Sequence, residues 1–123
     1  MSSMAAFQGS PYVTVYSATK AFLLSLAEGL AVEMKPRGVD VLACCPAVVL
    51  TPNYIASRPS GAKSTPVDIE PQVVAQEALG ALGRRTVLVP GAKARVAQRL
   101  MRLMPRGAAV ATMASSTRAM YGE

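Results

Sequence analysis

The chain has 123 residues, of which 51% are hydrophobic and 16% charged, a composition that fills one modest domain with a single core and excludes an intrinsically disordered segment. Thirteen Lys and Arg against seven Asp and Glu give a net charge of +6, and the absence of His removes any His-based metal site or catalytic triad. With four Tyr, two Phe and no Trp, platforms for stacking single-stranded nucleic acid are scarce, so no nucleic-acid partner is expected.

Residues 1–13 mix small, polar and apolar residues around Gly9 and Pro11 and read as a loop. They lack the basic-then-apolar order of a secretory signal. Thr14 is the expected N-cap of a helix over Val15–Met34, in which Phe22, Leu23, Leu26, Leu30 and Met34 recur at helical spacing. Ala18, Ala21, Ser25, Ala27, Gly29 and Ala31 keep its other faces thin, which suits close packing between a sheet and another helix. Pro36 and Gly38 end it. VDVLACC, residues 39–45, reads as a short buried strand of a parallel sheet, stopped by Pro46. Helix, tight turn and buried strand make half of a βαβ unit.

Residues 47–68 hold Pro52, Pro59 and Pro66 and form a long, partly irregular loop, a kind that often covers or binds something. A second helix is predicted over Glu70–Leu82 with Pro71 in its first turn. A second strand follows in RRTVLVPG, residues 84–91, then a helix over 92–104 broken by Pro105, then a weak helical pattern over 108–121. No uninterrupted apolar stretch reaches membrane-spanning length, and there is no internal repeat. Cys44 and Cys45 are neighbours with no other cysteine to pair with, which points to a reducing, cytoplasmic setting.

Tyr16 and Lys20 lie four apart and share one helix face. A positive charge beside a phenol favours the phenolate, giving a group able to exchange a proton with a carbonyl or alcohol oxygen. The same spacing also describes an ordinary solvated surface pair. Ser3, thirteen residues before Tyr16, is taken alone a loop serine, and Thr51 is taken alone the start of a turn before Pro52.

Together, Ser3, Tyr16-Ser17-Ala18-Thr19-Lys20 and Pro46-Ala47-Val48-Val49-Leu50-Thr51, in this order and at these separations, resemble the short-chain dehydrogenase/reductase family with its Y-x-x-x-K motif. The resemblance implies an α/β fold: the C-terminal part of a Rossmann-like doubly wound parallel sheet. Residues 1–3 would be the tail of its fifth strand, 39–45 its sixth and 85–90 its seventh, with flanking helices. As one partial domain the chain would divide into a catalytic helix and strand (1–46), a substrate and cofactor loop (47–68) and a helix-strand-helix segment (69–123). Tyr16 would be the catalytic acid/base. Lys20 would hold the nicotinamide ribose hydroxyls and favour the Tyr16 phenolate. Ser3 would hydrogen-bond the reacting oxygen. Pro46, Ala47, Val49 and Thr51 would line the nicotinamide of NAD or NADP, together with Tyr16 and Lys20. The reaction would interconvert a carbonyl and an alcohol on a small or lipid-like substrate, with no metal.

Two departures stand out. Ala47 replaces the glycine usual in the family's turn. The glycine-rich dinucleotide turn is missing, because no two glycines here are separated by a single residue. The nucleotide-binding half is therefore expected to be absent, and this truncated chain is expected to be inactive alone. A non-enzymatic fragment that packs with a full-length relative, or a homo-oligomer, is the rival reading. A third comes from the C-terminal third. From Arg84 onward there are eight basic residues and one acidic residue. Arg95, Arg99, Arg102 and Arg106 recur at helical spacing beside Val96, Leu100 and Leu103. This is either a packed helix with a solvated Arg face or a peripheral membrane contact through residues 92–106.

Overall fold

In a computed structural model, residues 1–62 and 64–121 are described; Lys63 of the expected 47–68 loop and residues 122–123 of the expected 69–123 segment lie outside them. The architecture is α/β, with a small parallel sheet between helices. Strand β1 (Ala43–Cys44) pairs in parallel with β2 (Val87–Leu88), Ala43 opposite Val87 and Cys44 opposite Leu88. The bonds Ala43 N–H to Thr86 O and Cys45 N–H to Leu88 O, both 2.8 Å, extend the ladder by one residue. On the other side of β1 the N-terminal segment runs parallel to it, Ser2 N–H donating to Cys44 O at 2.8 Å and Met4 N–H to Pro46 O at 2.9 Å. The regular ladders are shorter than the strands read over 39–45 and 84–91, pairing only over Ala43–Cys44 and Val87–Leu88; Pro46 and Pro90 mark their C-terminal ends.

The pleat sorts the core into two layers. Ala43, Cys45 and Val89 point to one face, where Ala94 and the half-buried Phe7, Leu24 and Ala27 pack on them. Cys44 and Leu88 point to the other, against Ile69, Val74 and Ala81. Helix α1 (Thr14–Met34) covers the first face and α3 (Pro71–Ala81) the second.

Helix α1 differs from the sequence reading in two respects. Its N-cap is Val13, without a side-chain hydrogen bond, and Thr14 is already helical. Its sheet-facing stripe is the thin one, Ser17, Ala21, Leu24, Ala27 and Ala31, while Phe22, Leu23 and Leu26 are 66%, 40% and 46% exposed. Small side chains let the helix axis approach the sheet closely, so Phe22, Leu23 and Leu26 of the bulky stripe turn outward while Leu30 and Met34 stay half-buried. A Lys35–Arg37 turn and left-handed Gly38 (φ 70°) end the helix. From Thr14 to Arg37 this segment is 24 residues long and contains an 18-residue window of mean hydropathy 1.2, long and apolar enough by length and composition to cross a membrane. That corrects the reading of the sequence, where Lys20 and Glu28 break the apolar run.

The 47–68 loop contains a short helix, α2 (Pro52–Ser57), with Pro52 in its first turn and Thr51 as N-cap, its hydroxyl accepting from Tyr54 N–H at 3.1 Å. Just before it Val49 bridges to Ile69 in parallel. Gly91 (φ 85°) turns the chain from β2 into α4 (Ala92–Leu103). Met104 takes the extended conformation that a residue before proline favours, and α5 (Arg106–Tyr121) follows as one continuous helix where the sequence showed only a weak pattern. Arg95 pins α4 down: its Nη1 lies 2.6 Å from Glu77 Oε2 on α3 and donates to Val89 O at 3.2 Å.

Candidate active site

The site is built where the N-terminal segment, the head of α1 and the end of β1 meet. Ser3 caps a 3-10 turn over Met4–Ala6, its Oγ accepting from Ala5 N–H at 3.2 Å. An oxygen that accepts there keeps its own proton for donation elsewhere. Lys20 Nζ sits 5.5 Å from the centroid of the Tyr16 ring, within cation–π range, and donates to Met1 O at 3.2 Å. An ammonium has three donors, and this bond uses one. Tyr16 is 48% exposed and Lys20 is half-buried, and no carboxylate pairs with Lys20 among the described residues.

Ser2 ties these parts together, and sequence reasoning missed it. Its hydroxyl donates to Lys20 O at 2.7 Å while its N–H holds Cys44 O. One residue thus fixes the Tyr16–Lys20 helix against β1 in front of Pro46. Nothing in its spacing marked it, since its role depends on a helix eighteen residues away.

Past the end of β1, Pro46 is buried and Ala47, Val49 and Thr51 are half-buried. Among non-glycine described residues only Tyr12 has positive φ (68°), so Ala47 occupies its turn without the left-handed conformation that would demand glycine. Thr51 N–H donates to Val49 O at 2.8 Å, and Leu50 N–H to Ile69 O at 2.9 Å, while Val49 N–H has no acceptor among the described residues. An unpaired backbone donor, a Lys ammonium with two spare donors and a Ser hydroxyl with a spare proton are groups able to hold an amide, sugar hydroxyls and a carbonyl oxygen.

A family model for short chain dehydrogenase matches residues 1–60, the stretch that contains every one of these groups. The chain belongs to the short-chain dehydrogenase/reductase family of oxidoreductases. It is 32% identical over 94 residues to a 7beta-hydroxysteroid dehydrogenase of Collinsella aerofaciens, covering 74% of this chain and 36% of that protein. It is 35% identical over 83 residues to a very-long-chain 3-oxoacyl-CoA reductase of Anas platyrhynchos, covering 68% and 25%. A solved structure bearing on 7beta-hydroxysteroid dehydrogenase stereoselectivity superposes with a TM-score of 0.78 at 26% identity, over 91% of this chain and 43% of the other. The chain spans about a third of the length of the 7beta-hydroxysteroid dehydrogenases it matches, 34% and 36% of two of them.

Proposed function

We infer that residues 1–51 are the proton-transfer and nicotinamide side of an NAD(P)-dependent oxidoreductase that interconverts a carbonyl and an alcohol on a small or lipid-like substrate. The observation that carries this is the seating of Lys20 over the Tyr16 ring with spare donors, beside Ser3 and the 46–51 turn. In this reading Tyr16 moves the proton at the reacting oxygen, Ser3 donates a hydrogen bond to that oxygen, and Lys20 holds ribose hydroxyls. Val49 N–H and the Thr51 hydroxyl orient the carboxamide, and Pro46 and Ala47 shape the surface beside the ring. The bound NAD or NADP supplies the hydride chemistry. The relatives named for steroid and acyl-CoA substrates support an apolar carbonyl substrate in kind.

The parallel order of residues 1–4, β1 and β2 supports a placement at the fifth, sixth and seventh strands of a Rossmann-like sheet. These 123 residues contain no glycine-rich pyrophosphate turn, so in this reading the chain alone holds a full dinucleotide weakly and turns over little. Reduced nicotinamide mononucleotide, which needs only the nicotinamide side, is the direct probe. Its titration followed by NMR is expected to shift the amides of Lys20, Val49 and Thr51, and Lys20→Met is expected to remove the shifts. Shifts elsewhere, or shifts indifferent to Lys20, would contradict the assignment.

A second reading is packing against another subunit, favoured by the outward stripe of Phe22, Leu23, Leu26 and Val32 on α1, the last 75% exposed. Light scattering at rising concentration separates a monomer from a homo-oligomer, and Leu26→Glu is expected to favour the monomer. Peripheral membrane contact through residues 92–106 rests on α4, whose Val96, Leu100 and Leu103 are 55%, 60% and 83% exposed. Here the sequence reading of a solvated Arg face is modified, because an apolar ridge shares that face. A cytoplasmic or membrane-associated location is part of the same proposal.

A further inference from the structure

A cavity of about 470 Å³ lies between α1, β2 and α4, and it shares no residue with the Ser3, Tyr16, Lys20 and 46–51 cluster. It lies on the β2 side of the sheet, and Phe7 of the N-terminal segment also lines it. Its size is that of a small-molecule site. Leu24, Val87 and Val89 give it an apolar floor, while Arg85, Arg99 and Arg102 reach it from β2's lead-in and from two turns of α4. None of these three arginines is in an ion pair among the described residues. Arg95 also lines the cavity, but Glu77 neutralises it and Val89 O fixes it, so it serves as a wall. Glu28 is the opposing charge, also unpaired among the described residues.

Three free guanidinium groups less one carboxylate leave the groove two positive charges in excess. Convergent arginines over an apolar floor match a dianionic head on a flat apolar body. Guanidinium groups suit phosphate because their paired N–H donors meet two oxygens at once. Two consecutive elements, the lead-in to β2 and α4, bring these charges to one groove, at a mutual repulsion that a bound dianion relieves. We propose that this groove binds an organic phosphate monoester, its phosphate on Arg85, Arg99 and Arg102 and its apolar group on Leu24, Val87 and Val89.

Calorimetric titration of the full chain with 1-naphthyl phosphate at low salt tests this. A single saturable site is expected, with inorganic phosphate and 1-naphthol each weaker by about tenfold or more. The R85Q/R99Q double variant is expected to weaken binding by about tenfold or more, and Glu28→Gln to tighten it about threefold by removing the opposing charge. Arg58→Gln, at an exposed position outside the groove, is expected to change nothing. All substituted side chains are exposed, and circular dichroism confirms that each variant keeps its fold. Non-saturating uptake, equal weakening by Arg58→Gln, or affinity unmoved by R85Q/R99Q would overturn the proposal. So would binding to phosphatidic acid vesicles without binding to the soluble ester, which makes the surface a lipid contact instead.

Discussion

Lys20 and Arg95 are both long cationic side chains held against a backbone carbonyl, one in each half of the chain. Lys20 donates to Met1 O, and Arg95 to Val89 O, each at 3.2 Å. Arg95 also meets a carboxylate at 2.6 Å, whereas Lys20 meets only the face of Tyr16. The neutralised cation joins α4 to α3 and β2. The other meets no carboxylate among the described residues and uses one of its three donors. A cation fixed in place yet not neutralised is the physical mark that separates the site in residues 1–51 from the scaffold around Arg95. Arg85, Arg99 and Arg102 are likewise in no ion pair among the described residues, unlike Arg95.

The sharpest way to break the comparison is to disrupt what both halves share. β1 comes from the first half and β2 from the second, and Leu88 is 5% exposed in the layer beneath α3. Leu88→Ala is expected to cost about 2–5 kcal/mol in urea unfolding, and to loosen both regions together in amide exchange. Loss of protection confined to α3–α5 would mean that the two halves fold separately. Glu77→Ala is expected to cost about 1 kcal/mol, because the pair with Arg95 is partly solvated and one bond to Gly91 N–H is lost with it. Exchange should rise in α4 while the amides of α1 keep their protection. An equal rise in α1 would erase the distinction between the two cations.

The smallest effect concerns pH. Burial pushes the thiols of Cys44 and Cys45 above the ordinary 9.0. The folded chain therefore holds these protons after the unfolded chain has released them, so their contribution is full below pH 9.0 and fades as pH rises through the higher folded values. Stability should fall more steeply above that point in the native chain than in a C44A/C45A variant. Parallel slopes would contradict the burial of the thiols.

The candidate site rests on the order of its residues: Ser3, Tyr16, Lys20 and the 46–51 turn are chemical types at fixed separations, and separation can be read without knowledge of packing. The orientation of α1 was not legible, because its thin and bulky stripes have the same period and only the close approach of β1 decides between them. Thr51 and Pro52 carried a readable start signal for α2 that the proline-rich surroundings obscured. The continuity of α5 was hidden by its Ser, Thr and Gly residues, each a weak helix former. Ser2 had no linear signal, since its partners lie on other elements; in the arginine groove the helical spacing of Arg99 and Arg102 was readable, but the approach of Arg85 and Glu28 to them was not.

The central claim is that Tyr16 carries the proton. Its most direct test exchanges this chain for the matched segment of the Collinsella aerofaciens 7beta-hydroxysteroid dehydrogenase and measures ketone reduction by NADPH and NADH with and without Tyr16→Phe. The account predicts turnover in the exchanged enzyme and a loss of about a hundredfold or more in the variant, with cofactor affinity nearly unchanged. A folded exchanged enzyme that binds cofactor and reduces the ketone equally well with Phe at position 16 would contradict it.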